Sequence, residues 1–251
     1  MGRTIDTAFE MLFKFSKKCH LESLQKGKLY MRNLQYYIDL EIASGKIGVG
    51  DRYDGLMPLV NANVTAIDNE TNALIMKAFF PVAQMNFGYT KHPAFCTYML
   101  DYRNYRDARL NGSIMSVDYQ VPDNHKNDIR ELGNHVLIIK DGTEFIRRIE
   151  AGFENEGLRS TRDLVKYYDD KINTLQHMQD VYNNNYRIAF WKRKGFEPQQ
   201  EYRFFILNRE IETDDSLTVD IGNIEDITQI ITTEEMLNMR ITIDCMVAEK
   251  P

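Results

Sequence analysis

The chain is poor in the residues that announce metal or disulfide chemistry. It has three cysteines in 251 residues: Cys19, Cys96 and Cys245, far apart and without a C-x-x-C. That argues against a disulfide framework and a cysteine zinc site, and predicts reduced core thiols. The histidines at 20, 92, 125, 135 and 177 are scattered, and neither H-x-x-x-H nor H-E-x-x-H occurs, so no metal is expected. G-x-S-x-G, a Walker loop and G-x-G-x-x-G are all missing. Cys19 and His20 are adjacent, and adjacent helical residues point in different directions, so they form no dyad. No apolar run approaches the ~18–20 residues that span a bilayer. The opening Met-Gly-Arg-Thr-Ile-Asp lacks the basic-then-apolar pattern of a signal peptide, and Asp6 stands where a myristoylation motif wants Ser or Thr. A cytoplasmic protein with no membrane partner is the expectation.

What is present describes a globular chain. Hydrophobic residues make up 43% and charged residues 27%, with a formal net charge of −6. An acidic total disfavours a surface that binds phosphates everywhere, but leaves room for a local basic groove. There is no repeat, low-complexity tract or Pro- or Ser-rich linker, so residues 1–251 read as a single domain.

Met11–Phe15 reads as a strand and Cys19–Lys26 as a short helix closed by Gly27. Lys28–Arg32 alternates in polarity as a second strand. Asn33 then caps a helix from Leu34 to about Ala43. A loop rich in Gly and Asp follows, where Asp51-Arg52-Tyr53-Asp54 suits a hydrogen-bonded turn better than a divalent-ion site. Residues 59–67 and 73–79 suggest a hairpin around Asp68–Asn72. Phe95–Met99 and His135–Ile139 are strands, and Asp141 leads into a helix through Phe145, Ile146 and Ile149. Residues 101–113, 160–172 and 173–184 have weak helical character, and Tyr186–Trp191 fits helix or strand. Tyr202–Ile206, Leu217–Ile221, Ile227–Ile231 and Ile241–Val247 read as strands, with Thr232 or Thr233 capping a short helix. Without a regular βαβ rhythm this is α+β: a central, mainly antiparallel mixed sheet with flanking helices.

The most specific local feature is Gln199-Gln200-Glu201-Tyr202-Arg203-Phe204-Phe205-Ile206. A glutamate opens an otherwise aromatic, basic and apolar strand. It is either a strand-edge ion pair with Arg203 or a nearby Lys, or a carboxylate facing a cleft.

Glu201-Tyr202 with Phe205 resembles the E-Y-x-x-Y/F strand carrying the catalytic glutamate of the ADP-ribosyltransferase superfamily. The opening strand–helix–strand is similar to that superfamily's NAD-binding half. Lys14 stands where the superfamily usually has His or Arg. A wider resemblance covers most of the chain: Phe13-Lys14-Phe15, Leu24-x-x-Gly27-Lys28-Leu29-Tyr30-Met31, Gly50-Asp51-Arg52-Tyr53-Asp54-Gly55, Phe95-Cys96 and Gln200-Glu201-Tyr202-Arg203 look like bacterial and phage-encoded proteins of the DUF2971 type.

These resemblances imply an ADP-ribosyltransferase-like fold and NAD as the cofactor. Glu201 is then the catalytic carboxylate that stabilises an oxocarbenium-like transition state. Tyr30 would stack on nicotinamide. Lys14 and Arg32 would hold pyrophosphate or ribose oxygens. Asn33 and Asp51 would orient ribose hydroxyls, and Arg203 would orient or neutralise Glu201. The plainer alternatives are a core Tyr30, a solvated Lys14 and an Arg32–Asp51 pair. Tyr36 and Tyr37 read as packing. The partners implied are a nucleotide or dinucleotide ligand and a protein or nucleic-acid acceptor. A non-catalytic binder of a nucleotide or host protein is the second reading. A nucleic-acid-directed enzyme is the third, resting on Trp191-Lys192-Arg193-Lys194, a run that otherwise reads as a solvated face.

Overall fold

The computed structural model describes residues 11–45 and 48–247; the opening hexapeptide lies outside them. The elements run β1 (Leu12–Ser16), α1 (Lys18–Gln25), β2 (Lys28–Asn33), α2 (Leu34–Ser44), β3 (Leu56–Ile67), β4 (Leu74–Asn86), β5 (Pro93–Met99), β6 (Tyr105–Asn111), β7 (Ile114–Tyr119), α3 (Lys126–Leu132), β8 (His135–Ile139), α4 (Gly142–Asn155), β9 (Ser160–Leu164), β10 (Lys166–Tyr168), α5 (Leu175–Asn183), β11 (Trp191–Arg193), β12 (Glu201–Ile206), β13 (Leu217–Asp220), β14 (Thr228–Thr232), α6 (Thr233–Asn238) and β15 (Ile241–Met246). The class is α+β. The main sheet has eight strands, and every pairing described within it is antiparallel.

β5 is the strand on which this sheet divides. β12 pairs along one edge of it, from Phe205 opposite Ala94 to Glu201 opposite Tyr98. Its other edge is shared. β2 holds the start, with Arg32 opposite Ala94, and β1 holds the end, with Phe13 opposite Tyr98. Among the described residues no strand pairs with that edge between Phe95 and Thr97, so β1 and β2 part there and open the backbone of β5.

Strand alternation then sorts the side chains. On β12, Tyr202, Phe204 and Ile206 enter a large core with Phe145, Ile149 and Phe153 of α4. Glu201 and Arg203 take the opposite face. A second core joins Phe13, Phe15 and Tyr98 to Ile129 of α3 and to Met236 and Leu237 of α6. Gly27 has a φ of +90°, and a Cβ there would stand 2.5 Å from the Gly222 carbonyl oxygen, so only glycine closes α1 against the turn after β13.

Several local expectations are corrected. Residues 101–113 are not helical: a 3-10 turn at Tyr102–Asn104 leads into β6, which pairs with β7. Residues 160–172 hold β9, paired to β12, and β10, paired in parallel with β11. Tyr186–Trp191 is a 3-10 segment, Asn185–Phe190, that passes into β11 at Trp191. The hairpin is longer than read: β3 and β4 form a separate two-stranded sheet.

Candidate functional site

The opening between β1 and β2 contains a cavity of about 110 Å³. β1 contributes Lys14, β5 contributes Cys96 and Thr97, β12 contributes Glu201 and Arg203, and β11 contributes Lys192. Tyr37 of α2, Asp54 of the acidic loop, Tyr98 and Gln199 also line it. The loop reaches α2 because residue 50 is glycine: a Cβ there would lie 2.3 Å from the Tyr37 carbonyl oxygen.

Glu201 is 7% exposed, and both of its oxygens are paired. Lys192 Nζ donates to Oε1 at 2.5 Å, and an Arg203 terminal nitrogen donates to Oε2 at 2.9 Å. Burial works to raise the carboxyl pKa, but these two cations outweigh it and hold the group well below the usual carboxylate range. Arg203 in turn grips Asp54 through two bonds, at 2.7 and 3.0 Å, and donates to the Ala189 carbonyl at 2.5 Å. Burial opposes its charge, but Asp54 and Glu201 keep the guanidinium protonated. Its Nε is buried without a hydrogen-bond partner.

Lys14 Nζ donates to the Cys96 carbonyl at 2.6 Å, on the edge of β5 that β1 and β2 leave open. Its ammonium lies 4.6 Å from the centre of the Phe95 ring. An ammonium has three donors, so Lys14 retains capacity towards the cavity. Burial pushes its pKa down, against the pull of Glu201. Burial and then Glu201 push the Cys96 thiol up to about 11, which leaves it a protonated, unreactive group. Burial also raises the Tyr37 hydroxyl above the usual tyrosine range.

The backbone that presents Glu201 is fixed by its neighbour. Gln200 sits at φ +40°, a conformation that costs a non-glycine residue energy unless its surroundings enforce it. Its side chain accepts from Tyr98 OH at 2.7 Å and donates towards Asn104 Oδ1 at 2.8 Å and Asp101 Oδ1 at 3.0 Å. The Glu201 N–H donates to the Tyr167 hydroxyl at 2.9 Å. Lys192 is steadied from the other side by Gln199 Oε1 at 2.9 Å.

Of the residues singled out from sequence, Lys14, Glu201 and Arg203 meet in this cavity. Tyr30, Arg32, Asn33 and Asp51 do not line it. Tyr30 and Lys28 are the outward positions of β2, and Tyr30 is 50% exposed. Arg32 donates to the carbonyls of Asp214 and Asp215, both at 2.8 Å. Asn33 accepts from the Tyr36 N–H as the cap of α2 and donates to the Ile211 carbonyl. Asp51 receives Arg193 Nε at 2.7 Å, not Arg32. Arg193 also reaches Glu41, so this second cluster ties the acidic loop to β11.

The sequence reading missed Lys192 and Tyr37. Within the run Trp191–Lys194 only Lys194 is exposed: Lys192 is 3% exposed and Arg193 is 6% exposed. The missed signal was the excess of carboxylates in the Gly-Asp loop and at Glu201, which need buried cations. The cavity is lined by three basic side chains, Lys14, Lys192 and Arg203, and two acidic ones, Asp54 and Glu201; burial pushes the Lys14 pKa down and the Asp54 pKa up.

Among the described residues no group of three or more His, Cys, Asp or Glu is gathered to hold a metal, and no helix is long and apolar enough to cross a membrane. Comparison with protein-family models, with curated proteins and with solved structures finds no match.

Proposed function

We propose that this cavity is the site of a cytoplasmic, ADP-ribosyltransferase-like enzyme that cleaves the nicotinamide–ribose bond of NAD, with Glu201 as its catalytic carboxylate. One observation supports the reading above the others: Glu201, buried and held ionised, faces the same cavity as Lys14 and Arg203. Breaking that bond develops positive charge on the ribose, and a fixed carboxylate in a water-poor site stabilises it. A carboxylate has about four lone-pair sites, and Glu201 uses two on Lys192 and Arg203, so capacity is left for a ribose hydroxyl. The cavity is about 110 Å³, smaller than the ~150 Å³ that accepts a benzene, so a nicotinamide ring enters it only in part, from its mouth. The cavity takes the nicotinamide end, and the rest of the dinucleotide lies at its mouth. Lys14 then serves the anionic part, and Tyr37 takes the aromatic position first expected of Tyr30. The acceptor is a protein or a nucleic acid.

A second reading is a nucleotide- or host-protein-binding protein without chemistry, favoured by the pairing of both Glu201 oxygens with cations. Thermal melts with and without NAD, run on wild type and Glu201→Gln, separate the two when nicotinamide is measured alongside. The enzyme shows stabilisation by NAD in both proteins and nicotinamide release only in wild type. Stabilisation without release in wild type favours the binder, and no stabilisation in either protein overturns both nucleotide readings. The nucleic-acid reading loses its sequence basis, because Lys192 and Arg193 are ion-paired inside the fold.

A further inference from the structure

Lys14 is the odd cation of the cavity. Strand alternation turns Phe13 and Phe15 into the second core and Lys14 to the other face of β1. Its Nζ is held by one bond, 2.6 Å to the Cys96 carbonyl, with the centre of the Phe95 ring 4.6 Å away. The carboxylate oxygens that line the cavity are engaged elsewhere. Lys192 and Arg203 take the two of Glu201, and Arg203 takes both of Asp54. Lys192, Arg193 and Arg203 each have a carboxylate oxygen at 2.5, 2.7 and 2.7 Å. Among the described residues no carboxylate comes within ion-pair distance of Lys14.

A desolvated lysine without a counter-ion favours its neutral amine, which is the nucleophilic form. Burial pushes the Lys14 pKa down, and Glu201, too far for an ion pair, only partly offsets this. The residue is half-buried, so the amine stays within reach from the cavity. Tyr37 lines the same cavity, and its hydroxyl has no hydrogen-bond partner among the described residues. Burial keeps that hydroxyl protonated, so it is free to donate.

We propose that Lys14 is a covalent site, its amine forming an imine with a small aldehyde in the cavity while Tyr37 supplies the proton that carries off the hydroxyl. Nζ attacks the carbonyl carbon, the C–N bond forms, and one nitrogen-bound proton passes to the oxygen, giving a carbinolamine. The Tyr37 proton then moves to that hydroxyl, the C–O bond breaks and water leaves. The last proton on nitrogen returns to Tyr37, so no oxidant, reductant or metal is consumed. A cavity of about 110 Å³ suits an aldehyde smaller than the benzene that ~150 Å³ accepts. The inference goes beyond the NAD reading, where Lys14 acts as a cation, and uses the other protonation state of the same group.

The test is reductive trapping of the full chain with propanal and sodium cyanoborohydride at neutral pH, the modified lysines being read by peptide mass spectrometry. Lys14 should be alkylated at least about tenfold faster than the exposed Lys17 and Lys26, the advantage of a desolvated amine over solvated ones. Tyr37→Phe keeps the ring and removes only an unpartnered hydroxyl. It should slow Lys14 roughly a hundredfold, the lower end of what a positioned acid contributes, and leave Lys17 as it was. Glu201→Gln should move the pH midpoint of Lys14 labelling downward, because the charge that favours the ammonium is gone. Circular dichroism checks that both variants are folded, and the wild-type comparison of Lys14 with Lys17 needs neither. Lys14 labelled no faster than Lys17, or at the same rate in Tyr37→Phe, overturns the proposal. So does a midpoint that Glu201→Gln leaves in place. None of these results depends on nicotinamide release, so the NAD reading stands or falls separately.

Discussion

Lys192 and Glu201 form a buried ion pair at 2.5 Å across the turn that joins β11 to β12. The turn is the 3-10 segment Lys194–Gln199, and it folds two consecutive strands so that one presents the cation and the other the carboxylate. Arg203 makes the second bond to Glu201. The pair therefore belongs to a chain of charges running from Lys192 through Glu201 and Arg203 to Asp54.

Removing one partner from a buried pair leaves an uncompensated charge and costs about 3–5 kcal/mol. Lys192→Met should lower unfolding stability by roughly 3 kcal/mol, read from urea melts. Adding Glu201→Gln to it should recover part of that loss, because the stranded carboxylate is gone. The double-mutant cycle gives the coupling directly.

Gln200 holds Glu201 in place through Tyr98, Asn104 and Asp101, in a left-handed backbone conformation. Asn104 and Tyr98 are 0% and 3% exposed, so truncating Gln200 leaves buried polar groups unpaired. Gln200→Ala should cost about 2–4 kcal/mol, from the lost bonds and the desolvated groups left behind.

His177 supplies a pH dependence remote from the cavity. It is stacked on Trp191 at 4.4 Å and lies 4.6 Å from Tyr168, and its Nε2 is buried without a partner. Burial lowers its pKa from 6.5 to about 4. Between these values the unfolded chain binds a proton that the folded chain refuses, so stability falls as pH drops through that window. The loss should reach roughly 2–3 kcal/mol near pH 4, because each tenfold difference in proton affinity between the two states is worth about 1.4 kcal/mol. His177→Phe keeps the stacking and removes the titration. Its stability should fall less than that of wild type between pH 6.5 and 4.

Lys14 tests the charge of the cavity without touching Glu201. Lys14→Met should fold, because it removes a desolvated ammonium and leaves only the Cys96 carbonyl short of a donor. NAD binding by calorimetry should weaken by at least about tenfold, the worth of one charge-assisted contact. An unchanged affinity would show that Lys14 does not serve the anionic ligand.

Much of the fold was legible because local chemistry and global structure agree in residues 11–44. Gly27 and Asn33 close and open helices, and the alternation of Lys28–Arg32 matches the burial of β2. That same alternation placed Tyr30 outside: Leu29 and Met31 enter the core, so Tyr30 faces the other way. Glu201 was legible as a charged residue opening an otherwise buried strand. Lys192 was not, because its burial depends on the 3-10 turn Lys194–Gln199 folding Gln199 and Glu201 back onto it. Residues 105–111 misled for a related reason. Their charges fit a solvated helix, but the strand is exposed all along its length and is held by pairing with β7. Strand pairing of this kind comes from distant partners and leaves little local trace.

The most direct test of the catalytic role of Glu201 is nicotinamide release from NAD by wild type and Glu201→Gln at equal concentration, with circular dichroism confirming that both are folded. Wild type should release nicotinamide, and the variant should lose at least about a hundredfold, since one removed electrostatic stabiliser costs about 10²–10³ in rate. Equal release by the two proteins, or none from wild type, would contradict the assignment of Glu201 as the catalytic carboxylate.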